Sequence, residues 1–209
     1  MMTIAGLVLA GGTSRRMGED KAFVPLAGRP LIAHVVERLA PQLASLAINA
    51  PREEARYAAL GLPLIADETP DTGPLGGVQS GLTWAGTLAA RPDHLVTVPV
   101  DGPFLPEDLV QRLARRAVAA DQIVIAASGD RDHPVFALWP LAIAARLADW
   151  RAKAKSHGVR GFLAATGYCV VRWPLPAAAP DPFLNVNTRE DLARAEGWRA
   201  KHGIFKQSE

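Results

Sequence analysis

The sequence predicts an α/β fold built on a single doubly wound, mostly parallel sheet, and three observations carry that expectation. Short apolar runs rich in β-branched residues alternate with segments of helical periodicity along the chain, the pattern of repeated strand–helix units. The first run, residues 4–9, is apolar on both alternating faces apart from Gly6, as a strand covered by helices on both sides must be. Glycines or a carboxylate follow where such runs stop, at Gly11 and Gly12, at Asp67 and at Asp101. The carboxyl ends of strands are where open α/β sheets gather ligands.

The first strand, 4–9, runs into Gly11-Gly12. A helix is expected from Pro30, because proline's fixed φ suits the first helical position. Leu31, Ile32, Val35, Val36 and Leu39 then recur at three-and-four spacing to face the sheet, and Pro41 ends the helix. Residues 46–48 make a second strand running into Asn49 and Pro51, and a short helix over 53–60 leads to a third strand at 64–65. A glycine-rich loop, 71–77, precedes a helix over 78–89. The fourth strand, 95–98, delivers Asp101 ahead of a helix over 107–118, and 123–126 is the fifth strand. In the second half, 135–138 reads as a strand after Asp132-His133-Pro134, 141–150 and 161–165 as helices, and 169–173 as a strand. Residues 183–187 lead into a helix over 189–197, and the proline- and alanine-rich stretch 174–182 reads as a surface loop. No internal repeat or domain boundary is visible, so 1–200 are expected to form one domain and 201–209 a frayed tail.

Composition limits what the motifs can mean. With 209 residues, 49% of them hydrophobic and 21% charged, the chain has the makeup of a globular domain with an ample core. A formal net charge of +2 is too small to argue for nucleic acid or an anionic membrane, so small-molecule partners are expected. Cys169 is the only cysteine, which excludes an intramolecular disulfide and a cysteine-rich metal site and fits a reducing cytoplasm. Residues 4–10 and Arg15-Arg16 do not form a secretory or twin-arginine signal, since the cations follow the apolar run instead of preceding it. No apolar run approaches bilayer length. The expected location is cytoplasmic.

The chemistry concentrates in four segments. In Leu9-Ala10-Gly11-Gly12-Thr13-Ser14-Arg15-Arg16-Met17-Gly18-Glu19-Asp20-Lys21, adjacent glycines let successive N–H groups converge on an anion, and Arg15, Arg16 and Lys21 add charge where a triphosphate would lie. Neither the P-loop nor the Gly-x-Gly-x-x-Gly spacing is present. Gly73-Pro74-Leu75-Gly76-Gly77 is a second glycine loop ahead of a helix N-terminus. Asp101, just past a buried strand, is placed either to hold Mg²⁺ against phosphate oxygens or to cap the next helix. Asn185 and Asn187, two apart, present both amides to one side of an extended segment. They serve either a magnesium shell and phosphate-bound water or turn chemistry before a helix capped by Thr188. Asn49 and Asp67 end neighbouring strands, where a carboxylate suits the paired donors of a guanine edge and Asn49 could equally stabilise a turn. His133 reads as a structural histidine, and five histidines without paired spacing make no zinc site.

The first segment, with Pro25 to Ile32 behind it, resembles the signature of the nucleotidyltransferases built on the glycosyltransferase-A type sheet: Leu-Ala-Gly/Ala-Gly, then Arg-Met-Gly, then Lys. Gly11-Gly12, Arg16-Met17-Gly18 and Asp20-Lys21 look most like the molybdenum cofactor guanylyltransferases. The segments around Asn49-Ala50, Gly73 to Gly77, Val98 to Pro106, Arg131 to Val135 and Phe183 to Ala193 agree with the same family, so the resemblance covers nearly the whole chain. It implies a Rossmann-like nucleotidyltransferase fold, with GTP, molybdopterin and Mg²⁺ as ligands. It implies further that Leu9, Ala10, Gly11, Lys21, Asn49 and Asp67 bind GTP and that Asp101 binds nucleotide and magnesium. Gly12, Gly76, Asn185 and Asn187 are assigned to the same nucleotide site, and Lys21 and Arg16 to charge stabilisation on the transferring and leaving phosphates.

On this reading a terminal phosphate of molybdopterin attacks the α-phosphorus of GTP and expels pyrophosphate. Cofactor-biosynthesis proteins and recipient molybdoenzymes are the further partners implied, with no nucleic acid and no membrane. Two rivals stay open: a related enzyme on the same sheet that uses CTP on molybdopterin or loads a sugar phosphate, of which Gly11 speaks against the cytidylyl branch because that branch usually has alanine there, and a non-catalytic nucleotide-sensing or cofactor-delivery module.

Overall fold

Strand β1 (Ile4–Leu9) has no polar side chain to offer solvent, and it lies inside a seven-stranded sheet in the computed structural model. The structure describes residues 2–11, 20–51, 55–68, 73–154, 158–175 and 180–202. The predicted site residues Gly12 and Arg16, the start of the predicted 53–60 helix and residues 203–209 of the expected tail lie outside them.

The chain passes from β1 through a 3-10 turn, Lys21–Phe23, and a small hairpin of β2 (Pro25–Leu26) and β3 (Arg29–Pro30) into α1 (Leu31–Leu39). It continues through β4 (Ser45–Asn49), α2 (Ala55–Ala58), β5 (Leu64–Ile65), α3 (Pro74–Gly86), β6 (His94–Pro99) and α4 (Leu109–Arg116). The second half comprises β7 (Val124–Ser128), β8 (Arg131–Pro140), α5 (Ala144–Lys153), α6 (Val159–Thr166), β9 (Cys169–Trp173) and α7 (Arg189–His202).

The strand order is β5-β4-β1-β6-β8-β7-β9. β4 and β6 flank β1 in parallel, β5 adds to β4 in parallel and β9 to β7, so the sheet is mostly parallel as expected. β8 alone runs against its neighbours β6 and β7. Alternate side chains of β1 feed two cores. Val8 packs with Ile32 and Val35 of α1 and Leu109 and Leu113 of α4, while Leu7 and Leu9 pack with Leu75, Val78 and Leu82 of α3 and with Leu147 and Phe162 of the later helices. Helices therefore cover both faces, which is why β1 reads as apolar at nearly every position.

The structure corrects several sequence expectations. α3 begins at Pro74 and not at residue 78, because Pro74 pre-sets the first helical turn, so Gly76 and Gly77 lie within the helix instead of in a loop before it. The strand expected over 135–138 spans Arg131–Pro140 and is antiparallel. The reason is Gly129-Asp130: a two-residue connection with glycine first, at φ 51°, reverses the chain into a hairpin. Pro134, which has no N–H to give a ladder, sits where the β7–β8 register shifts from Ile125↔Ala137 to Ala126↔His133. The β2–β3 hairpin was not anticipated. It turns through Ala27 and Gly28, both at positive φ, and pairs Pro30 with Pro25, so α1 starts at Leu31 and not at Pro30.

Candidate active site

Because β4 lies on one side of β1 and β6 on the other, a crevice opens at their carboxyl ends. Backbone bonds tie those ends together: Ala10 N–H donates to the Asn49 carbonyl at 2.9 Å and Val100 N–H to the Leu9 carbonyl at 3.0 Å. Asn49 is 3% exposed, and its Nδ2 donates to the Ile65 carbonyl at 2.9 Å and to Asp67 Oδ1 at 2.7 Å. Its amide nitrogen is thus occupied in tying the half-buried Asp67 carboxylate, just past β5, to the end of β4. Two glycines make room for it. A Cβ on Gly77 would stand 2.3 Å from Asn49 Oδ1, and one on Gly11 would stand 3.3 Å away. Leu9, Ala10 and Gly11 follow on at this end: Leu9 packs in the core with α3, and Ala10 N–H is the donor to Asn49 just named. Gly76 lies one residue from the Asn49 contact, with its N–H already donated to the Gly73 carbonyl at 3.0 Å in the first turn of α3.

The other end of the crevice is polar and charged. Asp20 caps the 3-10 turn by accepting from Ala22 N–H at 3.0 Å, and it receives the Tyr57 hydroxyl at 3.0 Å, fixing the start of Lys21. Lys21 Nζ then bridges Asp101 Oδ2 and Asn187 Oδ1, each at 2.6 Å. The Lys21 and Asp101 side chains are both 14% exposed, so this ion pair is well shielded from water and salt. Asp101 stands just past β6 and seven residues before Asp108, the N-cap position of α4, so it does not cap that helix. The segment after Asp181 is drawn alongside it by Val186 N–H, which donates to the Asp101 carbonyl at 2.8 Å.

The capping of α7 falls to Thr188 and Asp191. Asp191 N–H donates to Thr188 Oγ1 at 3.1 Å, and Asp191 Oδ2 accepts Asn187 N–H and Thr188 N–H, both at 3.0 Å. Burial pushes the Asp191 carboxyl up, but the hydrogen bonds from Asn187, Arg194 and Thr188 outweigh it and hold the group below its ordinary value. The helix is thereby capped without the side-chain oxygens of Asn185 and Asn187; the Asn187 amide nitrogen adds one turn bond, donating to the Asn185 carbonyl at 3.4 Å.

Two side-chain oxygens here, Asp101 Oδ1 and that of Asn185, which precedes the Val186 bonded to the Asp101 carbonyl, are shut off from solvent and accept no hydrogen bond among the described residues. Leaving a buried acceptor unpaired costs about 1–3 kcal/mol, and a pair of hard oxygen donors is what a Mg²⁺ ion takes from protein when phosphates and water complete its shell. Among the described residues no group of three or more His, Cys, Asp or Glu could enclose a metal by itself, so the cluster fits a cation shared with a phosphate ligand. Sequence reasoning missed the group behind it, Ser128 and Asp181, which contact His133. The Gly129-Asp130 turn was the available signal, since it folds Ser128 back onto the start of β8.

No helix among the described residues is long and apolar enough to cross a membrane. Residues 6–169 match the MobA-like NTP transferase domain. The chain is 50% identical over 196 residues to a molybdenum cofactor guanylyltransferase of Cereibacter sphaeroides, covering 93% of this chain and 96% of that one. It is 43% identical to one of Bradyrhizobium sp. (strain ORS 278), covering 92% of each. In fold it is similar to molybdopterin-guanine dinucleotide biosynthesis protein A of Archaeoglobus fulgidus, with TM-score 0.72 and 24% identity over 94% of this chain and 99% of that one. It is equally similar in fold to a 4-diphosphocytidyl-2C-methyl-D-erythritol synthase of Anaerococcus prevotii, with TM-score 0.73 and 13% identity over 95% and 96%. The architecture is therefore common to enzymes named for different nucleotides, and the sequence relatives carry the assignment: the chain belongs to the MobA-like NTP transferases, among the molybdenum cofactor guanylyltransferases.

Proposed function

We propose that this chain transfers GMP from GTP to the terminal phosphate of molybdopterin, with Lys21, Asp101, Asn185 and Asn187 as its reaction centre. The observation that supports the siting is Lys21 Nζ held at 2.6 Å from both Asp101 and Asn187, beside the unpaired Asp101 Oδ1 and Asn185 Oδ1. An oxygen of the molybdopterin phosphate forms a bond to the α-phosphorus of GTP, the bond from that phosphorus to the bridging oxygen breaks, and pyrophosphate leaves with the electron pair. The attacking phosphate is already ionised, so no general base is required, and the protein's work is positioning and charge stabilisation.

Lys21 is a compact, rotatable cation that can exchange its carboxylate partner for a phosphate oxygen. Asp101 and Asn185 would hold Mg²⁺, which when bound neutralises phosphate charge. Leu9, Ala10, Gly11 and Gly12 approach the nucleotide through backbone, Asn49 sets the Asp67 carboxylate for the guanine edge, and Gly76 shapes the wall of that pocket. Arg16 adds charge toward the departing pyrophosphate. The reaction is placed in the cytoplasm, with cofactor-biosynthesis proteins and recipient molybdoenzymes as onward partners.

The test is mass spectrometry of the pterin product formed from Mg²⁺, a molybdopterin-bearing acceptor and an equal mixture of GTP and CTP. A guanine dinucleotide is expected. A cytosine dinucleotide would overturn the base assignment, and tight GTP binding without product would overturn transfer. Asp101→Ala is expected to keep the fold and lose roughly 10²-fold or more in turnover; near-native turnover would remove Asp101 from the centre.

A further inference from the structure

Behind Asn185 lies a polar cluster that the transfer does not itself use. Ser128 ends β7, His133 stands across the Gly129 turn in β8, and Asp181 precedes the segment that carries Asn185 and Asn187. Ser128 Oγ donates to Asp181 Oδ2 at 2.8 Å and lies 2.7 Å from His133 Nε2, with Ser128 1% and His133 7% exposed. A hydroxyl has one proton to give. Since Ser128 gives its proton to the carboxylate, the contact with His133 needs a donor on the ring, and Nε2–H donates to Ser128 Oγ. Burial pushes the imidazole below its ordinary value, only partly offset by Asp181, so at neutral pH the ring is uncharged and its single N–H is on Nε2.

The chain of donors thus runs one way, from His133 to Ser128 to Asp181. At its end, Asp181 Oδ1 accepts Phe183 N–H at 2.9 Å and the Asp181 carbonyl accepts Leu184 N–H at 3.0 Å, which locks the turn. Phe183, 1% exposed, is wedged among His133, Phe136 and Trp173, with ring centroids 5.0, 5.0 and 5.1 Å away. The next anchor along the segment is the Val186 N–H bond to the Asp101 carbonyl.

We infer that His133, Ser128 and Asp181 are positioning residues: a directed hydrogen-bond relay from the β7–β8 hairpin holds the 183–187 segment so that Asn185 and Asn187 stand beside Asp101 and Lys21. They touch no reacting group, and their influence on nucleotide binding rests on the cation site proposed above. Ser128 is the keystone, because it is the only member bonded to both others.

The test uses the full chain with Ser128→Ala, Ser128→Thr and Asn185→Ala and two readouts. The first is hydrogen exchange of the Val186 amide without metal or nucleotide, and the second is the dissociation constant of Mn²⁺·GTP measured by electron paramagnetic resonance without acceptor. A charge-assisted hydrogen bond is worth enough to shift an equilibrium about tenfold, so Ser128→Ala should speed Val186 exchange about tenfold while β1 amides keep theirs, and weaken Mn²⁺·GTP by a similar factor. Ser128→Thr, which keeps the hydroxyl, should restore both. Unchanged Val186 exchange, or acceleration shared equally with β1, overturns the relay. Faster Val186 exchange with Mn²⁺·GTP affinity unchanged in both Ser128→Ala and Asn185→Ala upholds the relay and overturns the cation site. Should Ser128→Ala fail to fold, Asp181→Asn, which keeps an acceptor for Phe183 N–H but not the carboxylate, is read by the same two measurements.

Discussion

Gly77→Ala is expected to destabilise the protein and disconnect Asp67 from the nucleotide crevice, although alanine is the better helix former. The new Cβ would lie 2.3 Å from Asn49 Oδ1, 2.9 Å from Asn49 Cγ and 2.6 Å from Leu9 Cδ2. The leucine methyl can turn aside, but the Asn49 amide is buried and fastened to the Ile65 carbonyl and to Asp67. Making room therefore breaks one neutral hydrogen bond and one to a carboxylate, together about 2–4 kcal/mol. The helix-propensity gain of replacing glycine within α3 returns about 1 kcal/mol, leaving a net loss of about 1–3 kcal/mol. In a chain of this size each kcal/mol lowers Tm by about 2–4 °C, so a fall of about 2–12 °C is expected, together with weaker GTP binding. Gly11→Ala is the control: its Cβ meets Asn49 Oδ1 at 3.3 Å, a contact relieved by a few tenths of an ångström, and its Tm should stay close to the parent's. Thermal unfolding and calorimetric GTP titration of the two variants check this. A Gly77→Ala protein with parental Tm and GTP affinity would refute the account of Asn49 as the residue that holds Asp67.

Two further outcomes follow from the same physics. Lys21→Ala removes the only cation within hydrogen-bond reach of Asp101 among the described residues and should lower single-turnover transfer by roughly 10²-fold or more, with a much smaller change in Tm; Lys21→Arg should not restore it, because a planar guanidinium cannot occupy the same point between Asp101 and Asn187. His94, 4% exposed with neither ring nitrogen partnered among the described residues, is held below its ordinary value by burial, against the pull of Asp93. The unfolded chain therefore binds the extra proton first, and stability present above the unfolded histidine pKa is lost as pH falls below it. His34 and His133 shift in the same direction for the same leading reason, so they add to that loss. Replacing His94 by leucine should raise Tm, relative to the parent, more at pH 5.5 than at pH 8, and a pH-independent difference would contradict this.

Much of the fold was legible because it is written in local patterns. The apolar run of β1, the three-and-four spacing behind Pro30, and the strand Cys169–Trp173 depend on which faces are buried, and periodicity records that directly. Asp101 and Asn185-Val186-Asn187 were legible as chemistry because polar residues at strand ends and before a helix cap stand out against an apolar background. The start of α3 was misplaced since glycines at 76 and 77 signal a loop locally, whereas the helix includes both, and Gly77 leaves room for Asn49, a residue 28 positions away in the chain that meets it only in the fold.

By itself the sequence determined the layering of helices on a mostly parallel sheet, the strand ends where polar groups collect, and the residue types available for phosphate and cation. The tertiary structure alone decided the rest: that β8 runs antiparallel between β6 and β7, that Asn49 serves Asp67, that Lys21 reaches across 80 positions to Asp101, and that Ser128 joins His133 to Asp181. The physical reason is that burial periodicity is the same for a strand whichever neighbour it pairs with and in whichever direction. A hydrogen bond between distant side chains, by contrast, depends on strand order and register, which arise only when the whole sheet closes its two cores.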